Sequence, residues 1–251
     1  MASLPAEFLR RPVAHRGLHG PRAPENSMAA FRAAIDAGYA IECDIQHTAD
    51  GTPIVFHDYD LARLVGDEVY VADCSLEALS EYRLLRTDEQ IPTLQQMLRE
   101  VAGRTPLLIE IKDQDGRLGE NIGDLQDRVA EALRAYEGPV AVMSFNPETV
   151  ARFHELAPDI PVGLTTENFG EDDWPMLDDA QRARLSAIKD FDRAGACFIS
   201  HHWRDLDNPA VQRLKAQGVP VLCWTIRSAE DEAVARRVAD NITFEGYPAA
   251  I

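Results

Sequence analysis

Short β-rich apolar runs alternate with amphipathic helical stretches along nearly the whole of this chain, and that alternation restricts the fold more than any single motif does. The apolar runs fall at residues 12–15, 39–45, 54–57, 106–112, 140–145, 161–165, 196–201, 220–226 and 241–245. Helical patterns occupy 26–37, 125–136, 147–156, 209–217 and 229–238. Gly138-Pro139, Pro158 with Pro161, and Gly218 with Pro220 stop a helix and feed the next strand. Repeated strand–helix units predict a parallel sheet. The open doubly wound alternative is weakened because no glycine-rich dinucleotide fingerprint follows the first strand. The chain has 251 residues, 45% of them hydrophobic. That suits one barrel-sized domain over 1–251, with no linker, low-complexity tract or composition shift to divide it.

The formal net charge of −17 argues against a nucleic-acid partner or a stable anionic-lipid surface, both of which need a basic footprint. A local metal with a few Arg or Lys can still reverse the field inside one pocket. Residues 1–17 hold no apolar run of signal-peptide length, and no stretch approaches the ~20 apolar residues of a membrane span. The expected location is cytoplasmic. Cys43, Cys74, Cys197 and Cys223 are scattered with no CxxC pair, and buried reduced thiols are the expectation.

Candidate chemistry collects at strand ends. In Ile41-Glu42-Cys43-Asp44-Ile45, alternation sends Glu42 and Asp44 to one face and Cys43 to the other. Two carboxylates on one face of an apolar strand are costly unless a positive charge lies between them. Each could instead be salt-bridged at a frayed strand end. Leu107–Lys112 repeats the pattern: Glu110 and Lys112 share the inward face while Ile109 and Ile111 pack outward. Three inward carboxylates form an oxygen-donor set. Such a set favours a hard divalent cation, Mg²⁺ or Ca²⁺ with Mn²⁺ admitted, over a zinc site of His and Cys.

His15 and His57 each follow an apolar run and neighbour a charged residue, the placement expected of a general base and a general acid. Asp58 can orient an imidazole, bind the metal or cap a turn. Arg16 offers a planar fork for a phosphate, and Lys112 a point charge. His201-His202-Trp203 reads as rim.

Taken in order, His15-Arg16-Gly17, Pro24-Glu25-Asn26-Ser27, Ala30-Phe31, Gly38, Glu42-x-Asp44, Asp50-Gly51 and His57-Asp58 resemble the opening signature of the glycerophosphodiester phosphodiesterases. Ile91-Pro92-Thr93-Leu94, Glu110-Ile111-Lys112, Ser144-Phe145 and Trp224-Thr225 resemble later blocks of that family, so the likeness runs from His15 to Pro248. It implies a TIM-type (β/α)8 barrel, metal ligation by Glu42, Asp44 and Glu110, acid/base roles for His15 and His57, and phosphate contacts from Arg16 and Lys112. It also implies that Trp224 lines the wall beside the alcohol moiety; on spacing alone Trp224 reads equally well as a barrel-core aromatic.

The chain departs from the family pattern in three places. The last strand closes on Glu245 where an Asp before a Pro is usual, which leaves the role of that position open. Only a few residues follow it, so the eighth helix is short, absent or replaced by the N-terminal segment 4–9. The stretch 61–71 lacks the threonine-rich turn of many relatives and is expected to shape substrate access. The resemblance implies metal-dependent hydrolysis of small water-soluble glycerophosphodiesters to glycerol 3-phosphate and an alcohol, with loose selection of that alcohol. The alternatives are phospholipase-D-like action on lysophospholipids or sphingomyelin, which calls for an apolar or aromatic docking surface, and a non-catalytic binding barrel, which calls for a lost catalytic residue.

Overall fold

A computed structural model describes residues 2–251. Among the described residues the strands are β1 (Val13–Ala14), β2 (Ala40–His47), β3 (Pro53–Val55), β4 (Leu107–Ile111), β5 (Val140–Ser144), β6 (Val162–Thr166), β7 (Phe198–His202), β8 (Val221–Ile226) and β9 (Asn241–Phe244). Eight of them pair in parallel in the order β1-β2-β4-β5-β6-β7-β8-β9, and β9 returns to β1, closing a TIM barrel. β3 lies outside the ring, antiparallel to β2. The run at 54–57, which reads like its neighbours in sequence, is therefore a hairpin arm that carries His57 to the mouth.

The helices are α1 (Glu7–Arg10), α2 (Met28–Ala37), α3 (Leu76–Ser80), α4 (Leu94–Val101), α5 (Leu125–Leu133), α6 (Pro147–Leu156), α7 (Asp179–Ser186), α8 (Pro209–Ala216) and α9 (Ala229–Ala235). Their starts are locally encoded. Ser27 caps α2 by accepting from Ala30 N at 3.2 Å. Asn146 and Asn208 cap α6 and α8, each followed by a proline whose missing N–H costs nothing there. Thr93 and Gln96 make a reciprocal capping box at α4.

Alternation along the strands divides the core. Ile41, Cys43, Ile45, Leu107, Ile109 and Ile111 face outward into the layer between barrel and helices. Val13, Ala40, Leu108, Ala141, Phe198 and Leu222 fill the interior. Leu4 and Phe8 join that inner cluster, and Asn241 Nδ2 donates to the carbonyls of Phe8 and Arg11 at 2.7 and 2.6 Å. The N-terminal segment thus plugs the bottom of the barrel instead of standing in for an eighth helix. The flank beside β9 is covered by the following chain: Tyr39 Oη donates to Ala249 O at 2.7 Å, and Ala249 is buried. All four cysteines are free, and Cys43, Cys74 and Cys223 are buried. No helix of the described residues is long and apolar enough to cross a membrane.

Candidate active site

The register of β2 against β4 sets Asp44 beside Glu110, with Glu42 two residues earlier on the same inward face. Each of the three carboxylates is nearly fully buried, and each offers an oxygen within 4.8 Å of the others. Lys112 Nζ lies 2.7 Å from Asp44 Oδ1 and also contacts Glu110 Oε1. Burial disfavours the Asp44 charge, yet Lys112, His57 and Arg16 hold its carboxyl well below the usual carboxylate range. Glu42 behaves in the opposite way: burial, then the charges of Asp44 and Glu110, push it well above that range. Among the described residues, the basic side-chain nitrogen within 4.0 Å of it is His15 Nε2, at 4.0 Å. A buried three-carboxylate cluster with one member so short of positive charge is what a hard cation would complete, and the donor set suits one.

The turn after β1 delivers Arg16 to this cluster. Arg16 and Gly17 both take positive φ, 54° and 79°. A Cβ on Gly17 would come within 2.9 Å of the Ala30 backbone, so only glycine fits between this turn and α2. Arg16 N then donates to Glu42 Oε2 at 2.9 Å, and Arg16 Nε lies 3.2 Å from Asp44 Oδ2. Asn26, also at positive φ (56°), donates to Asp44 Oδ2 at 2.9 Å. Glu25 takes Arg16 NH1 at 2.6 Å and both terminal nitrogens of Arg63 at 2.7 Å. The glutamate and asparagine of the P-E-N-S motif are thus the brace of the site, a role that their spacing alone does not reveal.

Each histidine has a carboxylate behind it. His57 Nδ1 lies 2.7 Å from Asp58 Oδ1, the geometry of an imidazole partner. Arg63 Nε donates to Asp58 Oδ2 at 2.8 Å. Against some burial, these bonds hold Asp58 far below its ordinary value. Arg63 belongs to the divergent stretch 61–71, so that stretch buttresses the site from one side. His15 Nδ1 lies 2.6 Å from Glu245 Oε2. Glu245 Oε1 accepts from Arg227 Nε at 2.7 Å, and His19 Nε2 is 3.4 Å from Oε2. Burial opposes the Glu245 charge, but the His15 and His19 contacts outweigh it and hold the carboxyl far below its usual range. Burial lowers His15 despite that hydrogen bond.

The opposite wall is aromatic. Trp224 is half-buried and donates from Nε1 to Ser200 O at 3.0 Å. Its ring centroid is 5.6 Å from Phe145 and 5.2 Å from His202. Phe145 continues the wall to Trp174 at 5.4 Å. His201 and His202 part company, as alternation demands. His201 is fully buried on the outer face between Thr166 Oγ1 (2.8 Å) and Asp205 (3.1 Å), while His202 reaches the mouth. From His57, Glu110 and Lys112 a cleft of about 730 Å³ runs outward past Tyr59, Phe145 and Trp174. Nothing in the linear pattern announced it, because its walls come from the segments after β3, β4, β5 and β6.

With this geometry in hand, comparison with known proteins decides the family. The glycerophosphoryl diester phosphodiesterase family model matches residues 15–241. The chain belongs to that family. It is therefore a phosphoric diester hydrolase of the glycerophosphodiester phosphodiesterase type. The protein YhdW of Bacillus subtilis is 29% identical over 246 residues, 94% of each chain. The glycerophosphodiester phosphodiesterase of Caldanaerobacter subterraneus is 27% identical over 240 residues, 92% of this chain and 91% of the relative. Among solved structures, one from Silicibacter pomeroyi aligns with a TM-score of 0.79 at 24% identity, covering 95% and 93% of the two chains. A phosphodiesterase of Oleispira antarctica, solved in complex with the product sn-glycerol-3-phosphate, aligns at 0.76 and 24% identity over 96% of each.

Proposed function

We propose that this enzyme hydrolyses glycerophosphodiesters to glycerol 3-phosphate and an alcohol, with His15 and His57 as its base and acid. The observation that carries the reading is the meeting, at one barrel mouth, of three buried carboxylates with two histidines, each backed by its own carboxylate. Membership of the family and the glycerol 3-phosphate bound to the Oleispira protein support the same substrate class. Glu42, Asp44 and Glu110 would hold one divalent cation, Mg²⁺ or Ca²⁺, which when bound offsets charge developing on a non-bridging phosphate oxygen. Lys112, fixed at the edge of that cluster, presents its ammonium to the same phosphate, and burial notwithstanding, Asp44 and Glu110 keep it protonated. Arg16 has less freedom, since Glu25 already grips it; its part is to hold Asp44 and, through its backbone N–H, Glu42 in place.

His15 is the better base. Its Nδ1–H donates to Glu245, which leaves the Nε2 lone pair facing the cluster, and burial favours the neutral ring. His57 is then the acid: Asp58 stays ionised behind it and supports the imidazolium that must give up a proton to the leaving oxygen. Trp224 would pack on the glycerol carbons. The domain is read as a single unit acting on a small molecule in the cytoplasm. The deciding experiment incubates the protein with glycerophosphocholine and Mg²⁺ or Ca²⁺ and measures glycerol 3-phosphate and choline. Release of phosphocholine and glycerol instead would refute the assigned bond cleavage, and no turnover with either ion would refute the reading.

A further inference from the structure

The site's chemistry fixes the phosphate but not the alcohol that departs, and the cleft beyond Lys112 bears on that choice. Its lining includes the cations Lys112, beside Asp44 and Glu110, and Arg63, beside Asp58. The same lining includes Asp60 and Asp173, and neither has a basic partner within 4.0 Å among the described residues. The cleft is also lined by aromatic rings, and the polar tips of Tyr59 and Trp174 are already engaged. Tyr59 Oη donates to Asp113 O at 2.8 Å, and Trp174 Nε1 donates to Glu167 Oε1 at 2.8 Å. What Tyr59, Phe145 and Trp174 offer the cleft is therefore ring surface. Resting on the hydrolytic reading above, we infer that this cleft is a subsite for a cationic alcohol, a quaternary or primary ammonium head group, on the leaving side of the phosphodiester.

The charges decide between occupants. A zwitterionic phosphate–ammonium ligand sets its anion against Lys112 and Arg63 and its cation against aromatic faces and carboxylates without a basic partner, each of which attracts it. An acyl chain laid along the same path would strip water from Asp60 and Asp173 and return nothing to them. A polyol would leave the ring surface without a matching apolar group. Such a subsite would narrow the loose choice of alcohol expected from an open barrel mouth.

The test compares two diesters that share the glycerol phosphate half, glycerophosphocholine and its uncharged isostere glycerophospho-3,3-dimethylbutanol, with glycerophosphoglycerol as a third substrate. The expected kcat/KM is about tenfold higher for the choline ester than for its isostere, the scale of a partly desolvated cation–π contact. In the double variant Asp60→Asn with Asp173→Asn, and separately in Trp174→Leu, that ratio should fall towards one. Equal values for the two esters in the unaltered enzyme, or a ratio that none of the variants moves, would overturn the subsite while leaving the hydrolase intact. Failure to cleave any of the three esters with Mg²⁺ or Ca²⁺ would overturn the hydrolytic reading itself and the subsite with it.

Discussion

Glu245 Oε2 stands 2.6 Å from His15 Nδ1, although the two residues are 230 positions apart in the chain. β9 pairs with β1, so the last strand of the barrel ends beside the first and delivers its carboxylate behind the first histidine. The Glu245 carboxylate reaches the ring with one oxygen and takes Arg227 at 2.7 Å with the other. Glu245→Gln should lower kcat by about 10- to 100-fold, part of the usual worth of an oriented base. It should also move the acid limb of the kcat/KM profile to lower pH, because Glu245 raises His15 and its removal lowers that histidine further. An unchanged acid limb in the variant would make Glu245 a strut only.

Removing a ligand of the carboxylate cluster should abolish activity and metal binding while the barrel survives. In the metal-free protein, Glu42→Gln should raise the melting temperature, because Glu42 is a buried acid crowded by Asp44 and Glu110. Mg²⁺ or Ca²⁺ should stabilise the unaltered enzyme by about 2.7 kcal/mol at a hundred times Kd and so raise its melting temperature; the Glu42 and Glu110 variants should lose that shift. Thermal scans with and without chelator read both effects. Full turnover by exhaustively chelated protein would refute the metal.

The two histidines should separate by leaving group. His15→Ala and His57→Ala should each cost about 10²-fold or more in kcat on glycerophosphocholine. On an aryl diester, whose phenoxide departs unaided, the His57→Ala defect should shrink strongly while that of His15→Ala persists. Equal defects on both substrates would remove the assignment of acid and base.

Trp224 makes apolar contact at the mouth and no charged one. Trp224→Ala should therefore raise KM more than it lowers kcat, the signature of binding shared by ground and transition states. A kcat effect larger than the KM effect would place Trp224 closer to the reacting atoms.

Acid should loosen the loop after β2. Asp50 accepts from the Thr48 hydroxyl, from Leu76 N at 3.0 Å and from Thr52 Oγ1 at 3.0 Å, and these bonds bring its carboxyl down to about 2. A depressed folded pKa contributes stability that is complete above the unfolded value near 4 and is lost as pH falls towards 2. Hydrogen exchange at Leu76 N should accelerate across that window, and Asp50→Asn should flatten the dependence. Identical pH profiles in variant and parent would put the effect elsewhere.

Much of this site was written in local pattern. Two-residue alternation needs no knowledge of the fold, and it placed Glu42, Asp44, Glu110 and Lys112 on one face with the isoleucines on the other. Helix starts at Ser27, Thr93, Asn146 and Asn208 were equally local, because a cap is satisfied within three residues of itself. The recurrence of strand and helix selected a parallel sheet.

Tertiary structure decided whatever depends on closing the ring. The register of β2 on β4 brings Asp44 level with Glu110, and the return of β9 to β1 gives Glu245 to His15. The hairpin that turns β3 out of the barrel leaves His57 facing the same mouth from outside the sheet. The aromatic cleft joins segments that follow four strands, and Arg63, 38 residues from Glu25, ties it to Asp58. A sequence dictates which side of its own strand a residue faces, since that follows from backbone geometry over neighbouring bonds. It does not by itself dictate which distant side chain will be waiting there, since that follows from the burial of the whole apolar layer at once.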